Sequence, residues 1–367
     1  MTKFGGRMLK ITNVFFVVIY LSACLIPILP AGQFWWIAVL GLAFPFLFII
    51  VTIFFTWWLI ARSGWCLLSL IALALSWQQI RVMAGLNMRK EFTLSKPTET
   101  LRVLTWNISG WGETNKSHTD IMENRSLMLD FFKKQQADVL CFQEYWDKEK
   151  KYSNIQAFRD MGYNYSYFVR TSIGDRIIKT GVTILSKYPM TDTAKFKYGE
   201  GDFAEHLIYA DIEFNHKKVR IFTTHLQSNR LENSEYSAIR KMRRTDENGL
   251  KSSKSIVRKL KYAYGYRGTE ADLVKQKIKE SPYPVIVCGD FNDVPNSYTY
   301  FTIKGDLQDT FLEKGTGLGR TFQYLSPTLR IDFILVDKNF EVAQFNRIKV
   351  PYSDHYPIVT DLNFALD

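Results

Sequence analysis

The residues best suited to chemistry stand in short motifs that follow apolar runs. In VIVCGDFNDVPNS, Val285 to Ser297, four apolar residues read as a strand buried on both faces, and Gly289 lets the backbone turn. Asp290 and Asn292 come next, a carboxylate beside a carboxamide on a loop closed by Pro295. That pair suits phosphate ester chemistry, where a water is activated while charge builds on phosphoryl oxygens. Other apolar segments end on comparable groups: Asn107, Glu144, His225, Asp332, and Asp354 with His355. Each alone has an ordinary reading: a surface charge, a satisfied core histidine, an ion pair with Arg330, a turn before Pro357. Together, at successive strand ends, they argue for one cleft.

As a set they divide the work. Glu144, with Asn107 or Asp354 beside it, forms an oxygen-rich site suited to Mg²⁺ or Mn²⁺, and no Cys/His cluster favours zinc. His225 and Asn292 would donate hydrogen bonds to phosphoryl oxygens. Asp290 and His355 would orient or deprotonate the attacking water, with Asp332 setting the His355 tautomer.

The elements that must hold these groups are mostly strands. Leu101 to Trp106, the run ADVLCFQE ending in Glu144, Gly181 to Pro189, Leu207 to Phe214 and Val219 to Leu226 read as strands. After a long polar stretch with helical pieces come the strand at Val285, then Arg330 to Asp337 and Tyr352 to Leu362. Helical spacing is clear at Asn124 to Gln136. Many strands and few helices predict two packed sheets with helices outside.

In this order WN, QE, THL, GDFN, IDFI and SDH resemble the endonuclease/exonuclease/phosphatase superfamily, over roughly residues 101–364. The resemblance implies an α+β fold, a four-layer α/β/β/α sandwich like that of deoxyribonuclease, and Mg²⁺-dependent phosphoester hydrolysis. It implies that Glu144 binds metal with Asn107 in support, that His355 works with Asp332, and that Asp290 and Asn292 handle water and phosphate. The His225 motif is more similar to the deoxyribonuclease, sphingomyelinase and phosphatase branches than to the apurinic one. Nucleic acid, a phospholipid head group and a small phosphodiester all stay open as substrates, and so does the oligomeric state. The alternative is a non-catalytic, membrane-tethered binding module that uses the same cleft.

The first 90 residues are of another kind. The chain of 367 residues carries a net charge of +11, yet this stretch holds no Asp or Glu and only seven Lys or Arg. Its apolar runs predict three membrane spans, at about 9–29, 34–60 and 65–80, followed by a polar linker at 91–100 and the catalytic domain from 101 to 367. Lys3, Arg7 and Lys10 before the first run, against an uncharged Pro30–Gln33 loop, favour a cytoplasmic amino terminus and a catalytic domain on the non-cytoplasmic side. Arg81, Arg89, Lys90 and Lys96 after the third run pull the other way. An insertion at 229–267 holds eleven Lys/Arg against four Asp/Glu, interleaved with Tyr236, Tyr262, Tyr264 and Tyr266. It reads first as a solvated helical insertion, and otherwise as a surface for nucleic acid or anionic lipid. Four cysteines do not make a disulfide framework.

Overall fold

Strands apolar on both faces belong at the centre of a covered sheet. LRVLTWN and VLCFQEYW are of this kind, and they pair in parallel as β2 (Leu101–Asn107) and β3 (Val139–Trp146). This computed structural model describes residues 3–88, 90–112, 118–147, 153–173, 176–199, 206–229 and 247–365. The chain divides into two compact units: Met1–Ala84 with Asn229–Thr269 and Asp293–Thr302, and Gly85–Ser228 with Glu270–Asn292 and Ile303–Asp367.

The second unit opens on β1 (Gly85–Leu86), a short strand paired with β11 (Thr316–Gly317). Its first large sheet adds β4 (Tyr165–Ile173), β5 (Arg176–Ser186), β13 (Phe340–Arg347) and β14 (Ile358–Phe364) to β2 and β3, in the order β13-β14-β2-β3-β5-β4. The second sheet holds β6 (Met190–Lys197), β7 (His206–Phe214), β8 (Lys217–His225), β9 (Val285–Asp290), β10 (Gln308–Asp309) and β12 (Asp332–Val336), in the order β10-β12-β9-β8-β7-β6. Each sheet has one parallel pair, β2 with β3 and β8 with β9, flanked by antiparallel neighbours. The carboxyl ends of the parallel pairs and the amino ends of β12 and β14 therefore share one edge of their sheets.

Between the sheets Val103, Cys141 and Ile184 pack with Ala210, Ile221, Ile286, Cys288 and Ile334. Gln143, wholly buried, crosses this interior by donating to Thr105 Oγ1 (3.2 Å) on its own sheet and Thr223 Oγ1 (2.9 Å) on the other. The outer face of the first sheet is covered by helix His118–Gln135, through Met128, Phe131 and Phe132, and by Phe158 of helix Asn154–Asp160. On the second sheet Lys277, near the end of helix Glu247–Lys279, lies 4.6 Å over the Phe196 ring. This is the α+β sandwich that the motif order implies.

Several strands were not visible as periodicity: β4, β6 and β13 are edge or near-edge strands with mixed faces. Two expected boundaries also shift. Arg330 and Ile331 precede β12, and Tyr352 to Pro357 lie outside β14 as bends and a single bridge from His355 to Phe322. The polar stretch 91–100 is tied to the sheet: Lys96 pairs with Asp138 at 2.7 Å, and the carbonyls of Thr93 and Leu94 accept from the Arg102 guanidinium. All four cysteines are free, with Cys141 and Cys288 buried.

Among the described residues of the first unit, two helical segments are long and apolar enough to cross a membrane, Phe4–Ile28 and Leu40–Ile60, with mean hydropathies of 2.2 and 2.3. The third apolar run forms two helices, Cys66–Leu75 and Trp77–Met83, bent by 67°. At the break Ser76 Oγ donates back to the Leu73 carbonyl (2.9 Å) and shares a hydrogen bond with Tyr20 OH, a side-chain competition that bends helices. The basic insertion is only partly solvated. Ala263, Tyr264 and Arg267 are buried, and Tyr264 joins Ala31, Ala38, Trp35 and Val39 in an apolar cluster. The sequence hides this because the buried face is built of small and aromatic residues inside a charged run. Tyr236, Arg240, Lys241, Arg243 and Arg244 lie outside the described residues.

Candidate active site

The shared edge carries the chemistry. β8 and β9 end level, with His225 opposite Asp290, and β12 begins there, with Asp332 opposite Asp290 on its other side. So close an approach needs the glycine of GDFN. Gly289 has φ +148°, and a Cβ there would stand 2.1 Å from the Thr224 carbonyl oxygen. Glu144 is aimed by a different device. The β3–β5 register slips between Phe142 and Tyr145, and Glu144 sits in this bulge with φ +51°. A bulge re-aims a side chain, and a left-handed backbone at a non-glycine residue is a cost found at functional sites. Asn292, at φ +53°, is the second such residue beside the cleft.

Seven of the eight expected residues are tied to one another by hydrogen bonds or close ion-pair distances. Asn107 Nδ2 donates to Glu144 Oε1 (3.2 Å) and to Asp290 Oδ2 (3.1 Å). Asp290 Oδ2 also faces two imidazoles, His225 Nε2 at 3.6 Å and His355 Nε2 at 3.7 Å. His225 Nε2 stands 3.9 Å from Glu144 Oε1. On its far side the His355 ring meets both Asp332 oxygens through Nδ1, at 2.9 and 3.1 Å. The Asn292 backbone N–H donates to Asp290 Oδ1 (2.8 Å), and its side-chain amide donates to the Leu226 carbonyl (2.9 Å). Asp354 is linked by charge: its carboxylate raises the pKa of both Glu144 and His355. Its Oδ1 lies 3.2 Å from Ser353 Oγ.

Electrostatics follow from this crowding. Burial pushes the Glu144 carboxyl up, Asp354 adds to the rise, and His225, Asn107 and His355 oppose it. Burial likewise raises Asp290, reinforced by Asp332 and opposed by His355, His225 and Asn107. For His355 burial favours the neutral ring, but Asp332, Asp290 and Asp354 outweigh it and lift the pKa to about 10. The ring is then an imidazolium at neutral pH, donating from both nitrogens.

A divalent cation fits this donor set. Oxygen ligands dominate, burial raises the Glu144 and Asp290 carboxyls, a penalty that a bound cation would offset, and one ligand atom each from Asp290, Asp332 and His355 lies within 4.8 Å of the others. In that trio Asp332 is already engaged by His355, and its side chain is 1 % exposed. Glu144 is the carboxylate that opens to the cleft, with 40 % of its side chain exposed.

A pH dependence follows. Glu144 and Asp290 keep their protons to a higher pH in the folded chain than in the unfolded one, and His355 does the same between about 6.5 and 10. The folded state binds more protons in each window, so stability without a divalent cation falls as pH rises, and the His355 share is gone above about pH 10. Thermal unfolding of the full chain in chelator from pH 6 to 10 should show this decline. Added Mg²⁺ should raise the midpoint more at the alkaline end, and a flat midpoint in chelator would contradict the assignment.

Some supports escaped sequence reasoning. Trp106 Nε1 donates to the His355 carbonyl (2.9 Å), and Ser353 Oγ donates to the Asn107 carbonyl (2.8 Å) and accepts the His355 N–H (3.2 Å). Thr321 Oγ1 accepts the backbone N–H of Asp332 at 3.1 Å. WN and SDH were noticeable as motifs, but nothing local says that they brace one another.

The model described as the Endonuclease/Exonuclease/phosphatase family matches residues 104–355, and the chain belongs to that family. A second model, described as a domain of unknown function, matches residues 6–83. Among solved structures the chain is similar to an endonuclease/exonuclease/phosphatase from Beutenbergia cavernae DSM 12333, at 17 % identity over 72 % of each chain and a TM-score of 0.52. It is similar to a family protein from Leptotrichia buccalis C-1013-b at 16 % identity, over 72 % of this chain and 100 % of that one, with a TM-score of 0.51. The human nocturnin catalytic domain with bound sulfate anion aligns at 17 % identity over 74 % of this chain and 96 % of its own, with a TM-score of 0.52. At these identities the structural likeness speaks for the fold. A search of curated proteins finds no match.

Proposed function

We propose that the protein is a membrane-anchored, divalent-metal-dependent phosphoester hydrolase. Family membership supports phosphoester hydrolysis in general. The observation that carries the finer reading is the Asp290 carboxylate, set between Asn107 and the Nε2 atoms of His225 and His355. Asp290 Oδ2 accepts the proton of the attacking water. His225 and the His355 imidazolium donate to phosphoryl oxygens as negative charge grows on them. Asp332 fixes the ring so that Nε2 faces the cleft. Glu144, with Asn107 and Asp354, would hold Mg²⁺ or Mn²⁺, which supplies Lewis-acid polarisation of the phosphoryl group. The full chain in detergent micelles, supplied with Mg²⁺, should hydrolyse at least one of plasmid DNA, RNA, sphingomyelin, phosphoinositides or a small phosphodiester, and lose this in chelator. Inactivity on all of them would leave the binding-module reading.

The anchor reading rests on the apolar helices, and three crossings fit the packing best. Lys10 Nζ lies 5.4 Å over the Trp65 ring, Ser69 Oγ donates to Asn13 Oδ1 (3.2 Å), and Gln79 Nε2 donates to the Cys24 carbonyl (3.0 Å). The bent third segment thus runs alongside the first, in the same direction and over the same height. Residues after it would emerge opposite the amino terminus, for which the basic Lys3, Arg7 and Lys10 favour the cytoplasmic side. A reporter fused after Asp367 should be active only outside the cytoplasm. Cytoplasmic activity would overturn either the orientation or the third crossing.

A further inference from the structure

The helix Glu247–Lys279 carries a second feature, which the catalytic reading does not use. Between Glu247 and Glu270 the sequence has six Lys or Arg and no acidic residue. Within this run Gly265 packs on the connector between the two long apolar segments, where a Cβ would stand in ordinary contact, 3.7 Å from the Gly32 Cα. Gly268 packs in the same way on Ala31. The contact leaves an open pocket of about 470 Å³ floored by Gly32 and Gly265 and walled by Arg258, Lys261, Tyr262 and Tyr266. The four side chains recur at helical spacing, so they share one face. Arg258 and Lys261 are exposed and make no ion pair among the described residues. Tyr262 and Tyr266 are 44 % and 39 % exposed, with ring centroids 4.3 Å apart.

We infer that this pocket holds the phosphate head group of an anionic phospholipid from the membrane in which the chain is anchored. The inference rests on the anchor reading above, because the connector between two spans lies at the membrane surface. Three observations select this occupant. The cations have no acidic neighbour on their stretch of helix, so an anion is the missing partner. The paired tyrosines present an apolar body with a polar tip, the chemistry enriched at the membrane–water interface. Trp36, in the short helix after the connector, is 57 % exposed and extends the same aromatic belt. Arg258 and Lys261 would bind the phosphodiester oxygens, and the tyrosine rings would line the glycerol and upper acyl chain.

The test uses the full chain in micelles containing equal amounts of phosphatidylglycerol and phosphatidylcholine, with retained lipid read by native mass spectrometry. Phosphatidylglycerol should be preferred. Each surface cation contributes about fivefold to anionic lipid binding, so Arg258→Gln with Lys261→Gln should cut the preference by roughly 25-fold. Arg258→Lys with Lys261→Arg should keep most of it. An unchanged ratio in the double Gln variant, with an unaltered thermal midpoint, overturns the proposal. So does displacement of the lipid by millimolar inorganic phosphate, which would make free phosphate the occupant. Loss of oligonucleotide binding in the variant, with lipid retention intact, overturns it too. Alkaline carbonate extraction of expressing membranes tests the anchor separately: release of the chain sinks that reading, whereas retention with an unchanged lipid ratio sinks this one alone.

Discussion

Replacing His355 by alanine should lower turnover by about 10²- to 10⁴-fold on whichever phosphoester the full chain hydrolyses, the range typical of losing a positioned proton donor or acceptor. The ring is 5 % exposed, bonded through Nδ1 to Asp332 and facing Asp290 through Nε2, so its loss removes a donor at the reacting phosphate. It also strands the Asp332 carboxylate, so His355→Gln, which retains a donor, guards against reading misfolding as lost chemistry. Asp332→Asn separates positioning from chemistry. With the anionic partner gone, the His355 pKa falls, and any limb of the pH–rate profile that reports this ring moves to lower pH. Glu144→Gln should lose activity that raised Mg²⁺ partly restores, while neither His355 variant should be rescued in this way. Wild-type turnover in both His355 variants would remove the residue from the mechanism.

Asp361→Ala should destabilise the larger unit by about 3–5 kcal/mol, the cost of leaving a buried charge without its partner. Arg102 and Asp361 are opposite each other across the β2–β14 ladder, both side chains are 0 % exposed, and they bond in bidentate fashion at 2.6 and 2.8 Å. Asp361 also accepts from Gln344 Nε2 at 2.7 Å. The remaining Arg102 donors reach the carbonyls of Leu94, Gln135 and Thr93, so the guanidinium stays buried after the substitution with no anion to answer it. Arg102→Met with Asp361→Leu should recover much of the loss, because a packed apolar pair often matches a buried ion pair. Urea unfolding of the full chain in micelles measures both. A shift under about 1 kcal/mol for Asp361→Ala would show that water or a rearranged neighbour reaches the site.

Local pattern alone made much of this protein legible. Apolar runs of 20 or more residues announce helices long and apolar enough to cross a membrane, because length and hydropathy act along the chain. The apolar strands leading to Asn107, Glu144, His225 and Asp290 are legible for the same reason, since both faces of a central strand are covered. Motif order went further and pointed to the family.

What the sequence does not contain is closure. Asn107 and Asp290 are 183 residues apart, and only the packing of two sheets brings the Asn107 amide between Glu144 and Asp290. The bulge that turns Glu144 towards the cleft depends on how β3 registers against β5, a property of the pair of strands. Edge strands such as β6 have no periodicity to read, because one face meets neither core nor solvent uniformly. The basic helix shows the limit most plainly. Its Lys and Arg residues read as a solvated face, as Arg258 and Lys261 are, but only the docking of Tyr264, Gly265 and Gly268 on the Ala31–Gly32 connector shows that another face is buried. Glycines in a helix carry no hydrophobic signal, and their close approach has meaning only once the partner backbone is in place.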